Sequence, residues 1–186
     1  TRCSRDWSSD VCSSDLSPNQ KVVVGVMGAS RTSRGGDGRG AELAVGLAML
    51  PGVEVAYICD VDERNVPKAI ESVTTKAKQS RIPKGVSDFR RILEDKEVDA
   101  LLIATPDHWH APAGILACAA GKHVYVEKPC SHNPREGELL VAAARKHRRL
   151  VQHGTQRRSW PGVMEGIGRV RAGEIGRVLF AKSWYY

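Results

Sequence analysis

Lys21-Val22-Val23-Val24-Gly25-Val26-Met27, then Gly28-Ala29-Ser30-Arg31 and, a little further on, Gly35-Gly36-Asp37-Gly38-Arg39-Gly40, is the stretch that decides the fold. A run of β-branched residues without polar alternation is a strand buried on both faces, which points to a parallel sheet covered by helices. The glycines that follow free the backbone for a tight turn, and residues 39–50 continue with helical spacing. In a strand, loop and helix of this kind, backbone N–H groups and a helix N-terminus can receive a pyrophosphate. A glycine-rich stretch is equally at home in a surface loop, so the reading depends on what lies downstream.

Downstream the same grammar repeats. Residues 53–60 (VEVAYICD) form a second predicted strand, and a polar helix runs to about Lys78. Residues 86–93 hold a short strand or turn and a small helix; 99–104 (DALLIA) is a strand and 111–120 a helix stopped by Gly121. A strand at 123–127, a helix at 134–147 and a strand at 150–153 follow. The alternation predicts an α/β fold, a Rossmann-type doubly wound parallel sheet with right-handed crossovers and ligands at the carboxyl ends of its strands. Residues 160–172 read as a helix interrupted by Gly173 and Gly176, and 177–186 (RVLFAKSWYY) as a strand with no sheet of its own to join. That strand is expected to start a second α/β domain. The expected division is a dinucleotide-binding domain over 19–158 and a truncated start of a C-terminal substrate domain over 159–186.

Residues 1–18 are expected to be a disordered tail, because an aperiodic Ser/Asp-rich segment buries too little apolar surface to offset its ordering entropy. Asp6-Trp7-Ser8-Ser9-Asp10-Val11-Cys12-Ser13-Ser14-Asp15-Leu16 resembles the in-frame translation of a sequencing-library adapter and is set aside as an artefact. The 186 residues are 41% hydrophobic, and no run approaches the ~18 apolar residues of a membrane span. The excess of 28 Lys+Arg over 21 Asp+Glu is spread along the chain. Its densest run, Arg145-Lys146-His147-Arg148-Arg149, closes a helix opened by Asn133-Pro134 with Glu136 and Glu138, a polarity the helix dipole favours. No nucleic-acid partner is therefore expected. Cys3, Cys12, Cys59, Cys118 and Cys130 form no CxxC pair, which suits a reducing, cytoplasmic setting.

Chemistry-bearing residues fall at the predicted strand ends. Asp60 ends the second strand about twenty residues beyond Gly40, where a carboxylate accepts hydrogen bonds from adenosine ribose hydroxyls. It would also repel a 2′-phosphate, favouring NAD, with Arg31, Arg34 and Arg64 leaving NADP open; a helix N-cap is the alternative role for Asp60 or Asp62. Thr105-Pro106-Asp107-His108-Trp109-His110 follows a buried strand and is read as a polar loop facing the cofactor. The spacing of His108 and His110 lacks the partner ligands of a metal site, and none is expected. In Glu127-Lys128-Pro129, partial burial would lower the lysine pKa and make it a usable proton donor or acceptor, unless it is an ordinary exposed loop lysine.

Taken together these elements resemble the N-terminal domain of the Gfo/Idh/MocA family, which includes glucose–fructose oxidoreductases and inositol dehydrogenases. Thr105-Pro106-Asp107 with His110, Glu127-Lys128-Pro129, Gly154-Thr155-Gln156-Arg157-Arg158 and Gly173-Glu174-Ile175-Gly176-Arg177-Val178 carry the resemblance. It implies an NAD-dependent (or NADP-dependent) oxidoreductase acting on CH–OH groups of a sugar or cyclitol, forming a homo-oligomer through its second domain. It implies a cofactor lined by Gly28, Ala29, Ser30, Arg31, Asp60, Thr105, Pro106, Asp107, His110, Glu127 and Lys128, with Lys128 catalytic at the reacting carbon. Further catalytic groups would come from the second domain, so this segment alone is expected to be inactive. Ser30 and Ser33 stand where the second and third fingerprint glycines would be, in a loop of unusual length. An NAD-dependent glycoside hydrolase of the same family differs in its products, and a non-catalytic sensor would bind NADH without turnover.

Overall fold

The computed structural model describes residues 21–30 and 36–183; the expected tail, Arg31, Arg34 and residues 184–186 lie outside the described residues. Strands β1 (Val22–Met27), β2 (Val53–Cys59), β3 (Lys84–Val86), β4 (Ala100–Ile103), β5 (His123–Glu127) and β6 (Val151–Gly154) form one parallel sheet in the order β3-β2-β1-β4-β5-β6. Helices α1 (Arg39–Ala48), α2 (Val66–Lys76), α3 (Arg90–Glu94), α4 (His110–Ala119) and α5 (Pro134–His147) connect them. The strand order reverses between β1 and β4, the switch point at which such sheets open a crevice.

Apolar side chains pack on both faces of the sheet, assigned by period-2 alternation except in β2, where a register shift against β1 brings Val55 and Ile58 to one face. Leu102, Val26, Val55 and Ile58 pack with Ala41 and Ala44 of α1 and Ala69 and Val73 of α2. Leu101, Ile103, Val124 and Val126 pack on the other face with Ile92, Ala113, Ala117 and Ala144. Alanines on the helices let them approach the sheet closely. Gly25 serves the same end, since a Cβ there would strike the Ile92 side chain.

Helix α5 is capped as its sequence predicts: Asn133 accepts from the Glu136 N–H at 3.0 Å, Pro134 opens the helix, and Arg145, Lys146 and His147 occupy its last turn. Lys122, which the sequence gives no reason to bury, is 6% exposed and donates to the carbonyls of Asp95 and Val98 at 2.6 and 2.8 Å.

A first compact unit ends at Gly154 and a second begins at Thr155, the latter holding a 3-10 turn at Gln156–Ser159 and helix α6 (Pro161–Arg171). The strand expected over 177–186 is not formed in its described part: residues 177–183 are exposed and carry no regular structure. Backbone in a strand needs a neighbouring strand to satisfy its N–H and C=O groups, and alternation in the sequence does not supply one.

Candidate cofactor site

The carboxyl ends of β1, β2, β3 and β4 are knitted together by backbone bonds. Gly28 N donates to Cys59 O at 2.8 Å, Ala104 N to Met27 O at 2.8 Å and Asp60 N to Val86 O at 3.2 Å. Gly28 has φ +95°, and a Cβ there would lie 2.6 Å from Ala104 O and 2.8 Å from Thr105 N. Only glycine fits a left-handed residue at such a crossing.

The same test bears on two glycines at the start of α1. A Cβ on Gly38 would collide with Ser30 O, and one on Gly40 with Gly28 O, so the start of α1 lies directly against the first turn of the loop. Gly38 and Gly40 are thus two further positions at which only glycine fits against the loop. Just ahead of α1, Asp37 accepts from Ser72 Oγ at 3.0 Å and Lys76 Nζ at 2.5 Å.

Asp60 is 9% exposed, and its Oδ2 accepts from the Ala29 N–H at 2.7 Å, its Oδ1 from Asp62 N at 2.9 Å. It therefore clamps the glycine loop to the end of β2. Neither Asp60 nor Asp62 is a helix N-cap, a position held by Asn65. Arg64 does not face Asp60: it grips Asp62 through Nε and Nη2, both at 2.8 Å, and chiefly through that side-chain bond it holds the Asp62 pKa down to about 2.

Over this clamp lies a cavity of about 530 Å³, within the ordinary range for small-molecule sites. Its walls include Gly28, Ser30, Asp60, Thr105, Pro106, His108 and Trp109, together with residues the sequence reading passed over: Ser87, Asp88, Phe89 and Arg90. Phe89 and Trp109 meet edge to face with centroids 6.2 Å apart, and Trp109 keeps 44% of its surface exposed. An aromatic directly after a short strand was the available signal for Phe89; only the tertiary structure brings Trp109 beside it. Thr105 Oγ1 is buried with no partner among the described residues, which costs about 1–3 kcal/mol unless a ligand supplies the bond. A glycine cradle, an orphaned hydroxyl and a carboxylate at the end of β2 fit the pyrophosphate and ribose of a dinucleotide.

Cys59 also borders the cavity, but burial first, then the charges of Asp60 and Asp88, push its thiol up to about 12. A neutral thiol is a poor nucleophile. Brief treatment of the folded chain with iodoacetamide at pH 8 should leave Cys59 unmodified by peptide mass spectrometry; its modification at the rate of a free thiol would contradict this burial.

At the opposite end of the site, His110 is 2% exposed. Its Nδ1 meets Pro129 O and its Nε2 meets Thr105 O at 2.8 Å. His110 is thus a clasp between the Thr105 loop and the Glu127-Lys128-Pro129 turn, with no ring nitrogen left over for a cofactor. Asp107 is exposed, as are Pro106 and Ser30, while Ala29 is buried. No group of His, Cys, Asp and Glu that could hold a metal ion occurs among the described residues.

Glu127 is 4% exposed, and its Oε1 accepts from Arg39 Nε and Nη2 at 3.2 and 3.1 Å and from Tyr125 Oη at 3.3 Å. Burial, followed by the Glu127 charge, raises the Tyr125 pKa. Lys128 itself is exposed, which corrects the expectation of partial burial: it projects past the end of β5, before a cis Lys128-Pro129 bond.

Comparison with known proteins agrees with this geometry. Residues 22–155 match the Gfo/Idh/MocA model, described as oxidoreductase family, NAD-binding Rossmann fold. A glycosyl hydrolase family 109 protein of Saccharopolyspora erythraea is 30% identical over 169 residues, covering 90% of this chain and 35% of that protein. An inositol 2-dehydrogenase of Salmonella typhimurium is 28% identical over 136 residues, 73% of this chain and 39% of the other. The crystal structure of KijD10, a 3-ketoreductase from Actinomadura kijaniata in complex with NADP and TDP-benzene, superposes with a TM-score of 0.65 at 25% identity, covering 83% of this chain and 43% of that one. The chain therefore spans well under half the length of these relatives. With a Rossmann sheet, a glycine cradle at its switch point and a family match across 22–155, the chain belongs to the Gfo/Idh/MocA oxidoreductases, over their NAD-binding domain.

Proposed function

We propose that this chain is the dinucleotide-binding part of an NAD-dependent oxidoreductase acting on a carbinol carbon of a sugar or cyclitol. The observation that carries the reading is the Asp60 clamp beneath the cavity, with Lys128 at the other end of the same sheet edge. When bound, the nicotinamide supplies the hydride acceptor or donor. Gly28, Gly38 and Gly40 bring the backbone close to the pyrophosphate, and Thr105 Oγ1 offers its hydroxyl to the cofactor. Asp60 takes the ribose hydroxyls on carboxylate lone pairs that its two backbone bonds leave over. Lys128 orients the substrate oxygen and moves its proton, while His110 and Glu127 hold the loops on either side.

No helix among the described residues is long and apolar enough to cross a membrane. A cytoplasmic homo-oligomer is the setting we propose, and sedimentation of the full-length enzyme tests the oligomer.

Cofactor choice follows from Asp60. With Arg64 held by Asp62, NADH should bind the chain about tenfold or more tightly than NADPH, because like charges set side by side cost on the order of several kcal/mol. Titration of both reduced cofactors by nicotinamide fluorescence checks it. Tighter NADPH binding would mean that other cations govern the site. The 30% identity to the family 109 glycosyl hydrolase favours a second reading, redox-neutral glycoside cleavage with NAD retained. Product analysis of the full-length enzyme on a glycoside separates them: free sugar without net NADH supports cleavage, and stoichiometric NADH supports dehydrogenation.

A further inference from the structure

Arg39 is the first residue of α1, where a cation meets the positive end of the helix dipole. That unfavourable position calls for a compensating anion. Within the helix Glu42 offers little, its Oε2 lying 3.7 Å from Nη1. The closer anion is Glu127, distant in sequence and two strands away from β1, roughly 10 Å across the sheet. The arginine backbone is pinned on both sides, by Gly38 against Ser30 O and Gly40 against Gly28 O, so its side chain starts from a fixed point and crosses the end of β4. A dinucleotide with its pyrophosphate at α1 and its nicotinamide near β5 runs along this same line. Guanidinium has five N–H donors, of which Nε and Nη2 engage Glu127, and 43% of the side chain is exposed.

We propose that Arg39 is a positioning residue shared between the cofactor pyrophosphate and Glu127, so that filling the cleft also fixes the strand end presenting Lys128. The assignment builds on the dinucleotide reading above. Planar, two-donor geometry suits an arginine shared between a carboxylate and a phosphate, and a lysine reproduces only its charge.

The test uses the 186-residue chain with NADH, which carries the pyrophosphate, and adenosine, which has no phosphate and reports the adenosine end alone. Arg39→Met should weaken NADH binding about tenfold or more, the low end for a hydrogen bond to a charged group, and leave adenosine within twofold. Arg39→Lys should recover only part of the NADH affinity. In Arg39→Met/Glu127→Gln no buried carboxylate is stranded, so the thermal midpoint should recover while NADH affinity does not. An equal loss for NADH and adenosine, or NADH affinity restored by the double variant, would reduce Arg39 to a structural counterion and overturn the proposal. Failure of the unaltered chain to bind either ligand would overturn the dinucleotide reading itself, and the proposal with it.

Discussion

In the full-length enzyme, Lys128→Met should lower kcat by about 10²–10⁴-fold, the range for a positioned acid–base group, and leave NADH affinity within a few-fold. The two effects separate because Lys128 is exposed beyond β5, whereas the cradle is built from the backbones of the β1, β2 and β4 ends. The same separation should appear between the chain and its longer form. This chain spans 35–39% of the two relatives compared, and substrate positioning is worth ~7–11 kcal/mol of barrier lowering. The chain alone should bind NADH and oxidise no polyol. Steady-state assays of both forms decide this, and a full-length Lys128→Met enzyme with undiminished kcat would remove Lys128 from the chemistry.

Two glycines of α1 should respond to alanine with opposite signs. At Gly40 the obstacle is the Gly28 carbonyl, backbone that cannot rotate aside, so Gly40→Ala should cost about 3 kcal/mol, at the top of the usual overpacking range. For a chain of this size that lowers the thermal midpoint by roughly 6–12 °C, and NADH binding should be lost with it. Gly46 sits exposed in the same helix, and a Cβ there meets nothing within 4 Å. Gly46→Ala should add about 0.5–1 kcal/mol through helix propensity and a less flexible unfolded chain. Scanning calorimetry of both variants is sufficient. Midpoints that move in the same direction would show that α1 does not pack against the Gly28 turn as described.

The centre of the sheet was legible in the chain because β1, β2 and β4 are short runs rich in Val, Ile, Leu and Ala, a pattern set by burial on two faces, whereas the edge strands β3 and β6 carry little of it. The ends of α5 were legible because caps are local: Asn133, Pro134 and Glu136 act within one turn. Asp60 and the Glu127-Lys128-Pro129 turn were legible as residues at predicted strand ends.

What they touch was not. Gly38 and Gly40 look like ordinary loop glycines until the fold lays Ser30 O and Gly28 O against them. Their role depends on where a helix docks, which their spacing from Gly28 does not reveal. His110 read as a cofactor contact because it follows a strand end. Tertiary structure made it a clasp between Thr105 and Pro129, two carbonyls that no local pattern pairs. The strand expected over 177–186 failed in its described part for the complementary reason, since alternation states a preference that only a neighbouring strand can satisfy. By itself the sequence determined the central strands, the helices between them and the strand ends where chemistry gathers, because burial periodicity and capping act over a few residues. Only the tertiary structure decided the Arg39–Glu127 bridge and the exposure of Lys128, because partners 88 residues apart meet through packing and not through any local rule.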